Sequence, residues 1–123
     1  MENTFHLLLR WDDEHYLNAR QLTRDIKKEQ NDLSSNELIE KIEQNPELEQ
    51  SVILVLNYLE HVRVSLINGR IDKEVFRHSL GETLIGIAQR FKPYAVTLNQ
   101  INQEHLEQLI DELKIKSQLT QNT

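Results

Sequence analysis

The sequence predicts an all-α protein, a compact bundle of about five helices around a central helix near residues 46–68. Apolar residues recur at intervals of three and four through most of the chain, which is the spacing of one helix face. Turn-forming residues are scarce, with 3 glycines and 2 prolines, and this argues against a β-sandwich or barrel. The length of 123 residues fits a single domain, predicted for residues 1–117, with a frayed tail at 118–123.

The most apolar stretch, residues 50–68, is expected to lie within the central helix. Asn45 suits the N-cap and Pro46 suits the first turn, where a missing N–H has no cost. Gly69 suits the end because glycine adopts a positive φ angle without a steric penalty. The β-branched content would also allow a strand, but the second half of the stretch keeps helical spacing. Apolar side chains cover so wide an arc that this helix must pack on several sides.

Four further helices are predicted from capping residues and apolar stripes. In chain order they span residues 12 or 13 to about 30, 35 to about 44, 73 to 91, and 103 to about 117, and the last three are capped by Ser34, Asp72 and Asn102. Pro93 is expected to break the helical pattern, which leaves residues 93–99 as either a short helix or an extended link. Gly81 and Gly86 indicate either close helix contact or a bend.

Charge is distributed unevenly along the chain, whose net charge is −6. Residues 29–60 contain eight acids and one base, whereas residues 63–92 contain six bases and three acids. The candidate partner-binding acidic face consists of Glu37, Glu40, Glu43 and Glu47. The alternative interpretation of this face is an ordinary solvated surface. The negative net charge disfavours direct binding to nucleic acid.

Asn57, Glu60 and His61 form the strongest polar group, because their spacing places them on one side of the central helix. In a functional interpretation, Glu60 and His61 act as an acid and a base or as half of a metal site. In a structural interpretation, Glu60 pairs with an arginine such as Arg20. A metal site needs further ligands, and the other histidines are scattered without an HxxxH or HExxH pair, so no metal is expected.

Two further side chains allow two interpretations each. Arg63 lies on the otherwise apolar side of the central helix, where it either contacts an anion or a partner, or pairs with a carboxylate of its own chain. Trp11 is either part of the core or an anchor at an interface.

Several classes of chemistry lack the residues that they require. The chain contains no cysteine, which excludes disulfides and thiol catalysis, and a cytoplasmic location is expected. It contains no glycine-rich phosphate loop, no GxSxG motif and no basic recognition helix. No cofactor is therefore expected, and enzyme chemistry is unsupported. The central stretch is too polar in its second half to span a membrane.

Two short motifs carry a resemblance to a known family. An Asn–aromatic–x–Glu segment occupies residues 57–60, a Gly-x-Ile-Asp turn occupies residues 69–72, and Trp11 is followed by Arg20 upstream. Over about residues 11–91 the chain resembles small bacterial and phage-associated helical proteins catalogued as a domain of unknown function. The resemblance implies an all-helical fold and no activity. It also implies a structural polar network of Arg20, Asn57, Glu60 and Asp72, in which Glu60 and Arg20 tie two helices and Asp72 caps the third.

Three functions are compatible with these observations. The first is a non-enzymatic interaction module that binds a protein partner or forms a homodimer, with its acidic and basic segments matched across a two-fold axis. The second is an acidic inhibitor or decoy of a mobile element, which occupies a basic surface on a nucleic-acid-handling defence protein. The third is a small enzyme or ligand site at Glu60 and His61. The first is preferred because the apolar helix faces exceed what so small a chain needs for its core.

Overall fold

The computed structural model describes residues 8, 10–11, 17–22, 24 and 34–114, and it confirms the all-α bundle. The described residues before residue 25 are helical, and no strand occurs among the described residues. The later elements are α1 (Ser35–Glu43), α2 (Pro46–Ile67), α3 (Lys73–Phe76), a π-helical turn (Arg77–Gly81), α4 (Glu82–Leu98) and α5 (Ile101–Leu113). Most of the helix predicted between residues 12 and 30, and all of residues 115–123, lie outside the described residues.

The ends of α2 agree with the prediction. The side chain of Asn45 accepts a hydrogen bond from the N–H of Leu48 at 3.2 Å, and Pro46 begins the helix. At the other end, Gly69 adopts a φ angle of 66°. The N–H of Arg70 donates to the carbonyl of Ser65 at 2.9 Å, which is the hydrogen bond of a Schellman motif. Local capping therefore fixes both ends of the central helix.

The central position of α2 is also confirmed, because α1, α4 and α5 all pack against it. Its buried side chains are Leu48, Val52, Val55, Tyr58, Leu59, Val62, Ser65 and Leu66. The ring of Trp11 lies against that of Tyr58, with 5.0 Å between the ring centroids, and Trp11 is buried. Of the two interpretations of Trp11, the structure supports the one that places it in the core. Each large apolar side chain buried in this way contributes about 1.5–3 kcal/mol to the stability of the fold.

Helix α1 begins where the sequence predicts. The hydroxyl of Ser34 accepts a hydrogen bond from the N–H of Glu37 at 3.2 Å and donates one to its carboxylate at 3.1 Å. Leu38 and Ile42 are fully buried and hold the short helix on the bundle. Asn45 and Pro46 then separate α1 from α2, as expected for the residue that precedes a proline.

The expectation that Pro93 breaks the helical pattern is wrong. Helix α4 continues through Pro93 to Leu98, although a proline inside a helix lacks an N–H and costs about 3 kcal/mol. Tertiary packing offsets that cost, because Tyr94 and Ala95, the two residues after the proline, are both buried. The hydroxyl of Tyr94 also donates to the carboxylate of Glu49 at 2.8 Å and so ties α4 to the start of α2.

The π-helical turn between α3 and α4 is not predicted by the sequence. It places Arg77 and Gly81 against the end of α5, where Nε of Arg77 donates to the carbonyl of Glu112 at 2.7 Å. A Cβ atom added to Gly81 would lie 3.3 Å from the carbonyl oxygen of Leu113, so this glycine permits a close helix approach. Arg77 is only 3% exposed, and it is the buried charged residue of the described core.

The predicted start and end of the last helix are also wrong. Helix α5 spans Ile101–Leu113, and Asn102 is not its cap. The side chain of Asn99 accepts from the N–H of Ile101 at 3.1 Å, whereas the amide of Asn102 donates to the carbonyl of Ala95 at 2.7 Å. Asn102 therefore satisfies a carbonyl in the last turn of α4 and joins the two helices at their connection.

Candidate functional site

The polar group predicted around Glu60 lies where α2 faces α5. Arg63 binds the carboxylate of Glu60 with two nitrogens, Nε at 3.0 Å and Nη2 at 2.5 Å. Its third nitrogen donates to the side-chain oxygen of Gln108 at 2.9 Å, and Nδ1 of His105 lies 3.4 Å from Glu60. We call these four residues, Glu60, Arg63, His105 and Gln108, the α2–α5 polar cluster. Arg63 is thus paired with a carboxylate, which is one of its two predicted roles.

The electrostatics of this cluster favour a fixed charge on Glu60. The hydrogen bonds from Arg63 lower the pKa of the Glu60 carboxyl below its ordinary value of 4.5, and the charges of Arg63 and His105 act in the same direction. The hydrogen bonds with Glu60 also raise the pKa of Arg63. A general acid or base at neutral pH needs a pKa near 7, so the lowered pKa of Glu60 argues against an acid–base role for this carboxylate.

Asn57, Glu60 and His61 do share one surface, as their spacing predicts. They line a shallow cavity of about 310 Å³ together with Arg70. Asn57 is exposed, and Glu60 is partly exposed beside it. Within the described residues, no group of three histidine, aspartate or glutamate side chains is placed to hold a metal ion. This surface therefore presents hydrogen-bonding groups from α2 and from Arg70.

Of the four residues in the polar network implied by the family resemblance, Asn57 and Glu60 line one cavity together. Asp72 caps α3, where its carboxylate accepts from the N–H of Val75 at 3.1 Å, as predicted. The guanidinium of Arg20 lies 4.9 Å from the centre of the Trp11 ring. Arg20 lines a cavity with residues of α4, whereas Asn57 and Glu60 line cavities beside α5. The pairing of Glu60 with Arg20 stays a prediction.

The comparisons with known proteins identify the family. A family model described as Domain of unknown function (DUF4760) matches residues 1–112. The chain belongs to the DUF4760 family. This match confirms the resemblance carried by residues 57–60 and 69–72 and extends it at both ends. No curated protein and no solved structure matches the chain significantly.

The acidic face of this DUF4760 chain lies on α1 and the first turn of α2. Glu37, Glu40, Glu43 and Glu47 are all exposed. Their side-chain hydrogen bonds in the described structure are local, from Ser34 to Glu37 and from Gln44 to Glu40 at 3.2 Å. No ion pair joins any of these four carboxylates to a base within the described residues. On the described part of the chain, these four carboxylates therefore form an exposed surface of negative charge.

Most basic residues of the 63–92 segment contact carboxylates of the same chain. Four of them form ion pairs within the chain, Arg63 with Glu60, Lys73 with Glu112, Arg77 with Glu74 and Lys92 with Glu107. Two of these pairs join α5 to α3 and α4. The uneven charge along the sequence pointed to these bases, but the predicted contacts were between two copies of the chain. The structure places these four bases in ion pairs within the bundle.

Sequence reasoning missed His105 and Gln108, each of which lies 45 residues from its partner in α2. No local spacing relates them to Glu60 or Arg63. The bidentate pair of Glu60 and Arg63 was accessible to prediction, because residues three apart on a helix are neighbours.

Among the described residues, no helix is both long enough and apolar enough to cross a bilayer.

Proposed function

We propose that this DUF4760 chain is a non-enzymatic interaction module that forms a homodimer and acts in the cytoplasm. Support comes from one feature, an apolar patch at the connection between α4 and α5. We define this corner patch as Ile53, Leu56, Leu98, Ile101 and Leu106. Leu98 is 51% exposed and Ile101 is 44% exposed, and these two apolar side chains lie three residues apart at the connection.

The proposed occupant of the corner patch is a second copy of the chain. A two-fold interface places the same patch of each copy against the other, so the patch must contain both a ridge and a groove. Leu98 and Ile101 supply the ridge. A groove of about 130 Å³ beside them has apolar lining from Ile53, Leu56 and Leu106 and polar lining from Asn57, Glu60, Asn102 and His105. The surface around the patch carries both positive and negative charge. Lys92 of α4 and Glu107 of α5 form an ion pair there at 3.4 Å.

This proposal predicts a salt response opposite to that of a charge-matched dimer. The chain carries a net charge of −6, so two copies repel each other and added salt screens that repulsion. An apolar contact should therefore strengthen between about 0.05 and 0.5 M NaCl, whereas a dimer built on opposite charges should weaken.

The test is the mass in solution, measured by sedimentation equilibrium from low to high micromolar concentration. The wild-type chain is expected to dimerise, and the double variant Leu98→Glu with Ile101→Glu is expected to weaken dimerisation at least tenfold. Ile67→Glu with Val75→Glu is the matched control, because these side chains are 42% and 46% exposed, lie outside the corner patch and change the net charge equally. A wild-type monomer at several hundred micromolar, at low and high salt, would overturn the proposal.

We propose a second candidate function because the acidic face has no basic partner within the described residues. In this candidate the chain is an acidic inhibitor of a mobile element, and Glu37, Glu40, Glu43 and Glu47 occupy a basic surface on a nucleic-acid-handling defence protein. Such a contact should form quickly and weaken steeply with salt, because long-range attraction between opposite charges accelerates association.

This second candidate is tested by reversing charges at Glu40, Glu43 and Glu47 to lysine and measuring binding to a poly-lysine surface. The matched control reverses Glu104, Glu107 and Asp111, which lie on the outer surface of α5 and change the net charge equally. Loss of binding only in the first variant supports a localised acidic face. Equal loss of binding in both variants would show that binding depends on net charge alone, which would contradict this candidate function.

A further inference from the structure

The shallow cavity of about 310 Å³ beside the end of α2 has features of a binding site for a small molecule. We call it the Arg70 cavity, and its described lining consists of Asn57, Glu60, His61, Val64, Ser65 and Arg70. Asn57, His61 and Ser65 are successive residues at intervals of four, so they follow one ridge of α2. None of the five residues of the corner patch lines this cavity, so binding here can be tested independently of dimerisation.

Ser65 brings a buried hydroxyl to this lining. The residue is 1% exposed, and its Oγ atom forms no hydrogen bond within the described structure. A serine inside a helix can donate to the carbonyl four residues earlier, but this hydroxyl does not. Because a buried hydroxyl without a partner is destabilising, a ligand that pairs with it gains more than one that pairs with a solvated hydroxyl.

The end of α2 holds a cation beside this hydroxyl. The backbone N–H of Arg70 donates to the carbonyl of Ser65 at 2.9 Å, and the positive φ angle of Gly69 makes that contact possible. Arg70 is exposed, and it forms no ion pair with a carboxylate of the described residues. Its guanidinium is therefore available to an anion that enters the cavity.

A carboxylate suits this site better than a phosphate does. Two parallel N–H groups of one guanidinium match the two oxygens of a carboxylate. A phosphate monoester carries a charge of about −1.5 to −2 near neutral pH, and Glu60 lies in the same lining. The contacts of Glu60 with Arg63 lower its pKa, so this carboxylate stays negative and disfavours a second negative charge on the ligand.

The rest of the lining favours a second hydrogen-bonding group on the ligand. Asn57 is exposed, and its amide both donates and accepts hydrogen bonds. Val64 is half-buried and offers an apolar contact on the same side of α2. A ligand that matches all of these groups has a carboxylate, an adjacent donor and a short aliphatic part.

We propose that the Arg70 cavity binds a small carboxylic acid that carries a hydroxyl or an ammonium group on the carbon beside its carboxylate. The carboxylate pairs with the guanidinium of Arg70, and the adjacent group donates to the amide oxygen of Asn57. The hydroxyl of Ser65 donates to a carboxylate oxygen and so gains the partner that it lacks. Lactate and alanine share this chemistry and differ in the donor, so the experiment includes both.

The experiment follows the side-chain N–H signals of Arg70 and Asn57 in ¹H–¹⁵N NMR spectra of the full chain. L-Lactate and L-alanine are each titrated to about 50 mM at constant ionic strength, because so small a ligand binds weakly. Propionate, which lacks the adjacent donor, inorganic phosphate and sodium chloride are the controls. We expect saturable shifts of both signals with lactate, with alanine or with both. Propionate should bind about fivefold more weakly, and phosphate and chloride should give no saturable shift.

Variants locate the binding. Arg70→Gln is expected to weaken it about tenfold, because the charge-assisted hydrogen bonds are lost. Arg24→Gln is the matched control, since Arg24 is also exposed, lines a different cavity and changes the net charge equally. Ser65→Ala should weaken binding about threefold without lowering the thermal unfolding midpoint of the free chain, because it removes an unpaired buried hydroxyl.

Several results would overturn the proposal. Neither lactate nor alanine giving a saturable shift would show that the Arg70 cavity does not bind this class of molecule. Propionate or phosphate binding as tightly as lactate and alanine would contradict the assigned chemistry. Equal weakening by Arg24→Gln and Arg70→Gln would show that binding depends on net charge and does not occur at this cavity.

Discussion

The acidic face on α1 and the α2–α5 polar cluster contain similar residues in two different arrangements. In the cluster, Glu60 is bound by Arg63 through two nitrogens, and His105 approaches from another helix. On the acidic face, Glu40 and Glu43 are exposed and have no basic partner within the described residues. A carboxylate between two helices joins them, whereas a carboxylate on an outer surface changes the field that other molecules meet. Substitutions should therefore alter stability in the first region and association in the second.

The largest effect on stability is expected from Arg77→Ala, which removes the buried link between the π-helical turn and the end of α5. Arg77 donates a hydrogen bond to the carbonyl of Glu112, and the substitution leaves that carbonyl without this donor. It also removes the packing of the buried aliphatic part of the arginine side chain. The free energy of unfolding should fall by about 2–3 kcal/mol, measured by urea denaturation. Arg70→Ala, at an exposed arginine, is the control and should change it by about 0.5 kcal/mol or less.

The next effect is expected from Tyr94→Phe, which removes the hydrogen bond to Glu49 but keeps the ring. The free energy of unfolding should fall by about 1–2 kcal/mol at neutral pH, because the acceptor is a carboxylate. Burial, followed by the contact with Glu49, raises the pKa of Tyr94 above its ordinary value of 10.0. The folded state therefore retains this proton more strongly, so the contribution is complete below pH 10 and declines at higher pH. A wild-type chain and a Tyr94→Phe variant with equal stability at pH 7 would contradict this role.

A smaller effect is expected from Glu60→Gln, which breaks the ion pair of the α2–α5 polar cluster. The Glu60 side chain is 43% exposed, so solvent screening limits the contribution to about 1 kcal/mol or less. Because the pKa of Glu60 is lowered in the folded state, the stabilisation is present above pH 4.5 and lost as the pH falls below it. Wild type and variant should therefore differ at pH 7 and converge at low pH. Glu104→Gln, at an exposed carboxylate on α5, is the control and should change the free energy of unfolding at pH 7 by about 0.5 kcal/mol or less.

The smallest effect on stability is expected on the acidic face. Reversal of Glu40 and Glu43 to lysine should change the free energy of unfolding by about 0.5 kcal/mol or less, because neither side chain is paired to a base in the described structure. A loss of more than about 2 kcal/mol would show that α1 depends on these carboxylates, and the contrast between the two regions would then fail.

Much of the fold could be predicted because its signals are local. Ser34, Asn45 and Asp72 act as caps in the structure, and each hydrogen bond joins residues three apart in the sequence. The misses occur where distant contacts compete with local preference. Pro93 should end a helix on local grounds, but the buried residues that follow it keep α4 continuous. Asn102 resembles a cap, but the carbonyl of Ala95 occupies its amide.

The sequence by itself determined that this DUF4760 chain is helical, where its central helix begins and ends, and that Glu37, Glu40, Glu43 and Glu47 carry a concentration of negative charge. These properties depend on residues within a few positions of one another. Only the tertiary structure decided that Lys73 pairs with Glu112 and that Lys92 pairs with Glu107. It also decided that Arg20, Arg24 and Arg90 line one cavity. The physical reason is that helix packing brings together side chains separated by many residues, and no local spacing encodes which of them will meet.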